Sequence, residues 1–318
     1  MSIRKYFKFV DIKTSALSLY AYALGAAFIF YYFNNWNWLN SLIFFISEMI
    51  LDNMITAINN VMDYILAKDK TSKQKSVLVT ENISLPLAFT YIGILLLIAA
   101  ILGIWLCFRT NWVLFFAGGL LFLIVLSYTS GPFPISRMPI GEFVCGIAQG
   151  MGVPFLFTYI NDNYQKIMTL NFNRLSNGEW TFGLTGSLTT VFALVVLCIP
   201  SICYNSNVML ANNMSDVSED RKNERATLPV VFGKMKADWL YRFFGYIPFL
   251  FIIIMPFFKM APWLVLLTLA TFPKVKQNIE TFIAHPDKVK TFPSALQNYT
   301  IFVLVQAITI FVGALIHF

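Results

Sequence analysis

From Leu85 to Leu106 the chain reads LPLAFTYIGILLLIAAILGIWL, 22 residues without a charge. As a helix such a stretch extends about 33 Å, close to the hydrocarbon thickness of a bilayer. Nine apolar segments of this kind can be marked, at residues 15–33, 40–62, 84–107, 111–130, 141–160, 181–211, 238–257, 260–275 and 294–316. A chain of 318 residues cannot bury nine of them on every face of one water-soluble core. Only 12% of its residues are charged, against about 25% in soluble domains, and its mean hydropathy is +0.67. Lipid is therefore the expected solvent, and the expected fold class is all-α, a polytopic membrane protein forming one domain over residues 1–318. The sixth segment is longer than a bilayer requires and must tilt or protrude. The eighth is the weakest, being bracketed by Pro262 and Pro273.

No small-residue cleavage site follows the first apolar run, so no cleaved leader is expected. Cys107, Cys145, Cys198 and Cys203 all lie in apolar runs without a CxxC pair, as buried small hydrophobes do. His285 and His317 are isolated, and no zinc site is suggested. With the N-terminus inside, 19 Lys and Arg fall on the inner side of the nine segments. Only Arg109, Lys166, Arg174 and Lys259 fall on the outer side. That bias places the N-terminus in the cytoplasm and the C-terminus outside. The formal charge of +7 is then a property of one membrane face. It meets anionic lipid headgroups, and no nucleic-acid partner is expected.

Two stretches place acids where lipid should forbid them. In the second segment Glu48, Asp52, Thr56, Asn59 and Asp63 step by three or four residues and share one helix face, with Asp69 just beyond. In the sixth, Asn205, Met209, Asn212, Asp216 and Asp220 repeat the spacing. Glu48 and Asp52 are open to two readings, a polar network joining helices or part of a cavity. Asp63 and Asp69, with Asp216 and Asp220, stand at helix ends on the same membrane face. Carboxylates facing one another repel, and a divalent cation resolves this. Hard oxygen donors suit Mg2+, which is commonly shared with a substrate phosphate. Lys73, Lys75, Arg137, Arg221, Lys222 and Arg225 lie beside the acids and are suited to phosphate oxygens. A Mg2+–diphosphate site at the membrane surface is the expected chemistry.

NNVMDYILAKD, carrying Asn59, Asp63 and Asp69, resembles the first acidic motif of the UbiA superfamily of intramembrane aromatic prenyltransferases. NNMSDVSEDRKNERATLPVVFG resembles the second, with Asn212, Asn213, Asp216, Asp220, Arg221, Thr227, Leu228 and Gly233. YTSGPFPISRMPIGE, with Tyr128, Gly131, Pro134, Gly141 and Glu142, resembles a third landmark. The likeness spans about residues 10–315, and the Asp63-to-Asp69 spacing is similar to that of the branch acting on 1,4-dihydroxy-2-naphthoate. The resemblance implies about nine helices around a central cavity, with Mg2+ held by Asp63, Asp69, Asp216 and Asp220 with Asn59 and Asn212. It implies diphosphate contacts from Lys73, Lys75, Arg137, Arg221 and Arg225, and places Tyr128 and Glu142 at the reacting groups. The partners it implies are a polyprenyl diphosphate and an aromatic acid, with menaquinone precursors as products in a bacterial cytoplasmic membrane. The chain departs from the pattern at Asn60, where Asp is usual. It also departs at Ser76, where Arg is usual, at Glu81 and Asn82, near an expected Gly, and at Glu224, another common Gly. A different acceptor, such as 4-hydroxybenzoate or a chlorin, is the alternative within this chemistry. A secondary transporter is the alternative outside it, although transporters place such groups nearer the bilayer midplane. A soluble prenyl synthase is excluded by hydropathy and by the absence of DDxxD.

Overall fold

A computed structural model describes residues 2–11 and 18–317. Lys13 and the start of the first expected segment at 15–17 lie outside the described residues. In chain order the elements are α1 (Ile3–Phe9), α2 (Ser18–Tyr32), α3 (Trp38–Leu66), α4 (Lys70–Lys75), α5 (Val77–Thr80), α6 (Leu85–Arg109), α7 (Trp112–Thr129) and α8 (Gly141–Ile167). Then come the strands β1 (Met168–Arg174) and β2 (Trp180–Gly186), α9 (Leu188–Ser215), α10 (Val217–Lys222) and α11 (Leu228–Phe257). A 3-10 segment, Trp263–Thr271, leads into α12 (Phe272–Ala284), and α13 (Phe292–His317) closes the described chain.

Seven helices, α3, α6, α7, α8, α9, α11 and α13, are long and apolar enough to cross a membrane, and α2 is a shorter apolar helix of 15 residues. The eighth expected segment is the 3-10 stretch continued by amphipathic α12. Pro262 starts it and Pro273 begins the α-helical part. Proline lacks the N–H that a helix interior needs, but it fits a first turn. Segment ends follow local chemistry: Asn37, Asn111 and Ser187 cap α3, α7 and α9 with side-chain oxygens. The outer faces of α6 and α7 expose Leu97, Ile101, Leu120 and Leu123 to the surroundings, the pattern of lipid-facing helices.

The spine of the fold is α9, which is buried along most of its length. Helix α8 reaches it at closest range through Gly146 and Gly150. A Cβ at Gly150 would lie 2.5 Å from the Ile202 nitrogen, and one at Gly146 would lie 2.7 Å from the Ile202 carbonyl oxygen. Small residues four apart let two helix backbones touch, which is how helices associate where hydrophobicity offers no preference between lipid and protein. Polar side chains close other contacts. Tyr204 donates to the Gly245 carbonyl at 3.0 Å, Asn207 to Tyr241 at 2.9 Å, and Gln306 to Leu197 at 3.1 Å. At the opposite end, Arg109 Nε donates to Asn40 Oδ1 at 2.6 Å, and Asn40 donates in turn to the Ile160 carbonyl.

The expected sixth segment, 181–211, requires correction. Residues 181–186 belong to β2, which pairs antiparallel with β1, Phe172 opposite Phe182 and Arg174 opposite Trp180. The cause is local: Asn177-Gly178, with Gly178 at φ 88°, makes the turn that folds the chain back. The ribbon alternates. One face carries Leu170, Phe172, Trp180, Phe182 and Leu184, while the other carries Thr169, Asn171, Thr181 and Thr185. Thr169 and Thr185 share a hydroxyl contact of 2.8 Å. The apolar face is exposed, 71% at Trp180 and 75% at Phe182. It is continuous with the N-terminal end of α7, where Phe172 meets Trp112 edge to face and Leu170 N donates to Asn111. Trp and Phe at such a level form the aromatic belt of a membrane interface. Nitroxide labels at positions 181 and 182, in a background without the four native cysteines, check this placement. The label at 182 should be open to dissolved oxygen in a bilayer and the label at 181 to a water-soluble nickel chelate. Equal exposure of both to the nickel chelate would mean that the ribbon stands clear of the membrane.

Candidate functional site

The two acidic helix ends meet. Asp63 lies in the last turn of α3 and Asp220 in α10, and the Arg225 guanidinium lies between them. Its Nη1 is 3.5 Å from Asp63 Oδ1 and its Nε is 3.2 Å from Asp220 Oδ1. Arg225 Nη2 also donates to the Ser136 carbonyl at 3.3 Å. Arg137, in the short 3-10 turn Ile135–Arg137, brings Nη2 to 4.0 Å from Asp63 and donates through Nη1 to the Asn223 carbonyl at 3.3 Å. Its own carbonyl accepts from Ala226 N at 2.9 Å. The loop after α10 is thus pinned to the turn after α7 through backbone and side chain together.

Asp220 is buried and also accepts from Thr227 Oγ1 at 2.9 Å. Burial raises its pKa above the usual carboxylate value, and the Arg225 charge opposes that rise. For Arg137, burial and the adjacent Arg225 lower the pKa, with Asp63 opposing; an arginine remains charged regardless. Beside this pair, Asp216 and Asn212 turn their oxygens to one cation, the Lys288 ammonium from the turn between α12 and α13.

The remaining expected residues fall into two groups. Asp69 caps α4, accepting from Ser72 N at 2.9 Å, and these bonds hold its carboxyl below the usual range. Lys68 N and Asp69 N donate to Asn223 Oδ1, which ties this cap to α10. Lys73 sits 4.8 Å from the centre of the Tyr64 ring. Lys75 and Arg221 are exposed, on α4 and α10. Asn59 lies one turn before Asp63 on α3. Glu219, off the acidic stripe, accepts from Ser72 Oγ at 2.7 Å and so joins α10 to α4. Asn223 and Lys288 are the residues that sequence reasoning missed. No local pattern marks either one, because each acts across more than 70 positions of the chain.

Glu142, at the start of α8, is buried. Its Oε1 accepts from Asn213 Nδ2 at 2.7 Å and from Leu228 N, at the start of α11, at 3.2 Å. Its Oε2 is buried without a partner among the described residues. The Tyr128 hydroxyl, in the last turn of α7, meets the Cys145 thiol one turn further along α8. Glu48 and Asp52, deeper on α3, form the helix-joining network. Asp52 accepts from Ser18 on α2 and from Gln149 on α8, and Glu48 from Tyr22 at 3.2 Å. Asn60 donates to the Phe9 carbonyl at 2.8 Å, fastening α1 to α3. Where the sequence carries Glu224 and Asn82 in or near places usual for Gly, both backbones are left-handed, φ 51° and 52°. That conformation is one glycine adopts at no steric cost.

Among the described residues no three carboxylates converge as a ready metal cage, because Arg225 and Lys288 stand between them. The donor chemistry nevertheless fits a hard divalent cation. Asp216 and Asn212 already turn two oxygens onto one cationic atom, with Asp63 and Asp220 nearby, and oxygen ligands are those Mg2+ takes.

These features define an integral membrane protein whose polar site, acids with interleaved arginines, lies at one end of a helical bundle. The chain belongs to the UbiA prenyltransferase family, whose model matches residues 18–276. A curated relative, 1,4-dihydroxy-2-naphthoate octaprenyltransferase of Bacillus subtilis (strain 168), is 26% identical over 209 residues. That match covers 64% of this chain and 59% of the relative's length. Among solved structures, one of a digeranylgeranylglyceryl phosphate synthase superposes at a TM-score of 0.64 and 18% identity, covering 98% of each chain. A UbiA homologue from Aeropyrum pernix K1 also superposes at 0.64, with 16% identity, covering 96% of this chain and 98% of that one. A UbiA homologue from Archaeoglobus fulgidus, solved with DMAPP and Mg2+, gives 0.59 and 14% identity, covering 96% and 99%. At these identities the structures show a common fold.

The Glu142 contacts can be tested by stability. Glu142→Ala leaves the Asn213 amide and the Leu228 N–H buried without an acceptor, a loss of about 1–3 kcal/mol for each. Glu142→Gln keeps an acceptor oxygen and should cost less. Thermal unfolding in detergent should rank wild type above the Gln variant and the Gln variant above Ala.

Proposed function

We propose that the chain, as one membrane domain, transfers a polyprenyl group from polyprenyl diphosphate to 1,4-dihydroxy-2-naphthoate. Carboxylate is lost as CO2, and the product is demethylmenaquinol, the reduced form of demethylmenaquinone. Family membership and the name of the Bacillus subtilis relative support the reading. The observation that carries it is the convergence of Asp63 and Asp220, from two distant helix ends, on Arg225 at one face of the bundle. A transporter would more often place such groups at the midplane. At that depth this chain has Glu48 and Asp52 bonded to their neighbours.

In this reading Asp63, Asp69, Asp216 and Asp220, with Asn59 and Asn212, are the Mg2+ ligands. The ion would neutralise charge on the departing diphosphate. Arg137 and Arg225 exchange carboxylate partners for phosphate oxygens, with Lys73, Lys75 and Arg221 as outer contacts. The bond from the prenyl C1 to diphosphate oxygen breaks, and the diphosphate leaves with the bonding pair. Tyr128 turns its ring to the allylic cation, a cation–π contact. The naphthoate carbon bearing the carboxylate attacks C1, and CO2 departs from that carbon, restoring the aromatic ring. The free Oε2 of Glu142 accepts from a hydroxyl of the acceptor and orients it. The prenyl tail lies in a groove open to lipid. The site and the N-terminus face the cytoplasm, the C-terminus lies outside, and the membrane is the bacterial cytoplasmic membrane.

Membranes containing the protein, incubated with a labelled prenyl diphosphate, Mg2+ and a panel of aromatic acids, should yield a prenylated, decarboxylated naphthoquinol by mass spectrometry. A prenylated 4-hydroxybenzoate would reassign the acceptor. Uptake of substrate into proteoliposomes without release of diphosphate would replace the reading with transport. Asp63→Ala, Asp216→Ala and Asp220→Ala should remain folded and lose at least about 10²-fold in turnover, as expected for removal of a group that stabilises developing charge. Excess chelator should abolish turnover of the wild type, and added Mg2+ should restore it.

A further inference from the structure

Lys288 lies 72 residues beyond Asp216, yet its ammonium donates to both Asp216 Oδ2 and Asn212 Oδ1. The turn that carries it is closed by its own hydrogen bonds. Asp287 Oδ1 accepts from Val289 N at 2.9 Å and from Lys290 N at 2.6 Å, and Asp287 N donates to Thr291 Oγ1 at 3.0 Å. Thr291 Oγ1 donates to the His285 carbonyl at 2.7 Å, and Phe292 N to the Asp287 carbonyl at 2.9 Å. The lysine stem runs beside Phe292, whose ring centre is 5.9 Å from Nζ.

Asp63, Asp216 and Asp220 are balanced by Arg137, Arg225 and Lys288, three charges against three. A divalent cation on Asn212 and Asp216 cannot share those oxygens with an ammonium, since two cations at contact distance repel. Lys288 must leave, and its fixed turn keeps it within side-chain reach. The next strong acceptor there is the diphosphate that accompanies the metal. Resting on the function proposed above, we propose that Lys288 alternates between the metal position and the substrate. It occupies the Asn212 and Asp216 oxygens when no divalent cation is bound, yields them to the cation, and then contacts the diphosphate.

The test uses the full chain in nanodiscs, with Mn2+ binding followed by the electron paramagnetic resonance signal of the free ion, with and without inorganic diphosphate. Without diphosphate, Lys288→Met should bind Mn2+ several-fold more tightly than wild type, because an internal competitor is gone. With diphosphate the order should reverse. Lys288→Arg should stay near wild type in both conditions. Lys288→Met matching wild type in both conditions would reduce the lysine to a structural tie, and tighter binding in both would remove the diphosphate contact. An amine-reactive label followed by mass spectrometry requires no variant. Mg2+ alone should make Lys288 of the wild type more reactive, and unchanged reactivity would overturn its displacement. Absence of any Mn2+ binding by the wild type would instead remove the metal site itself, and with it the function this inference rests on.

Discussion

One guanidinium holds the acidic end of this bundle together. Arg225 spans from Asp63 at the end of α3 to Asp220 in α10 and reaches the Ser136 carbonyl in the turn after α7. Three loops that are remote in sequence close over the same point. A buried carboxylate such as Asp220 is costly when isolated, and removing the partner of a buried pair leaves that cost uncompensated. The lock is therefore strong only while both signs are present. In the proposed function a diphosphate arriving with metal would supply both, so partners could be exchanged without stranding a buried charge.

The rest of the fold holds that end in register. Helix α9 carries Asn212, Asn213 and Asp216 because it is gripped along its length, by the close glycine contact with α8 and by amide and hydroxyl bonds to α11 and α13. Glu142 links the start of α8 to Asn213 and to the first turn of α11. The acidic stripe on α3 divides by depth. Glu48 and Asp52 join α2, α3 and α8, whereas Asp63, in the last turn of α3, faces arginines. The same residue type thus joins helices in the interior and pairs with arginines at the end.

Much of this was legible in sequence. Nine apolar segments could be marked because hydrocarbon penalises every exposed polar group. The paired acids could be marked because a spacing of three or four puts residues on one helix face. Residues 181–186 read as the start of the sixth segment because Phe182 and Leu184 lead without a charge into the apolar run from Leu188. The Asn177-Gly178 turn between two alternating runs was the signal that could have separated them. The eighth segment was marked in place, but its 3-10 character was not, since its prolines announce a boundary without specifying the turn that follows.

The sequence by itself determined that the chain crosses a membrane many times and carries its acids at two helix ends on one face. Both follow from local periodicity and from the cost of polar atoms in lipid. Only the tertiary structure decided which cation meets which acid: Arg225 between Asp63 and Asp220, Lys288 on Asn212 and Asp216, Asn223 beneath the Asp69 cap. Such pairings depend on helix packing across tens to hundreds of residues. Periodicity places a side chain on a face of its own helix but carries no information about what packing brings opposite that face.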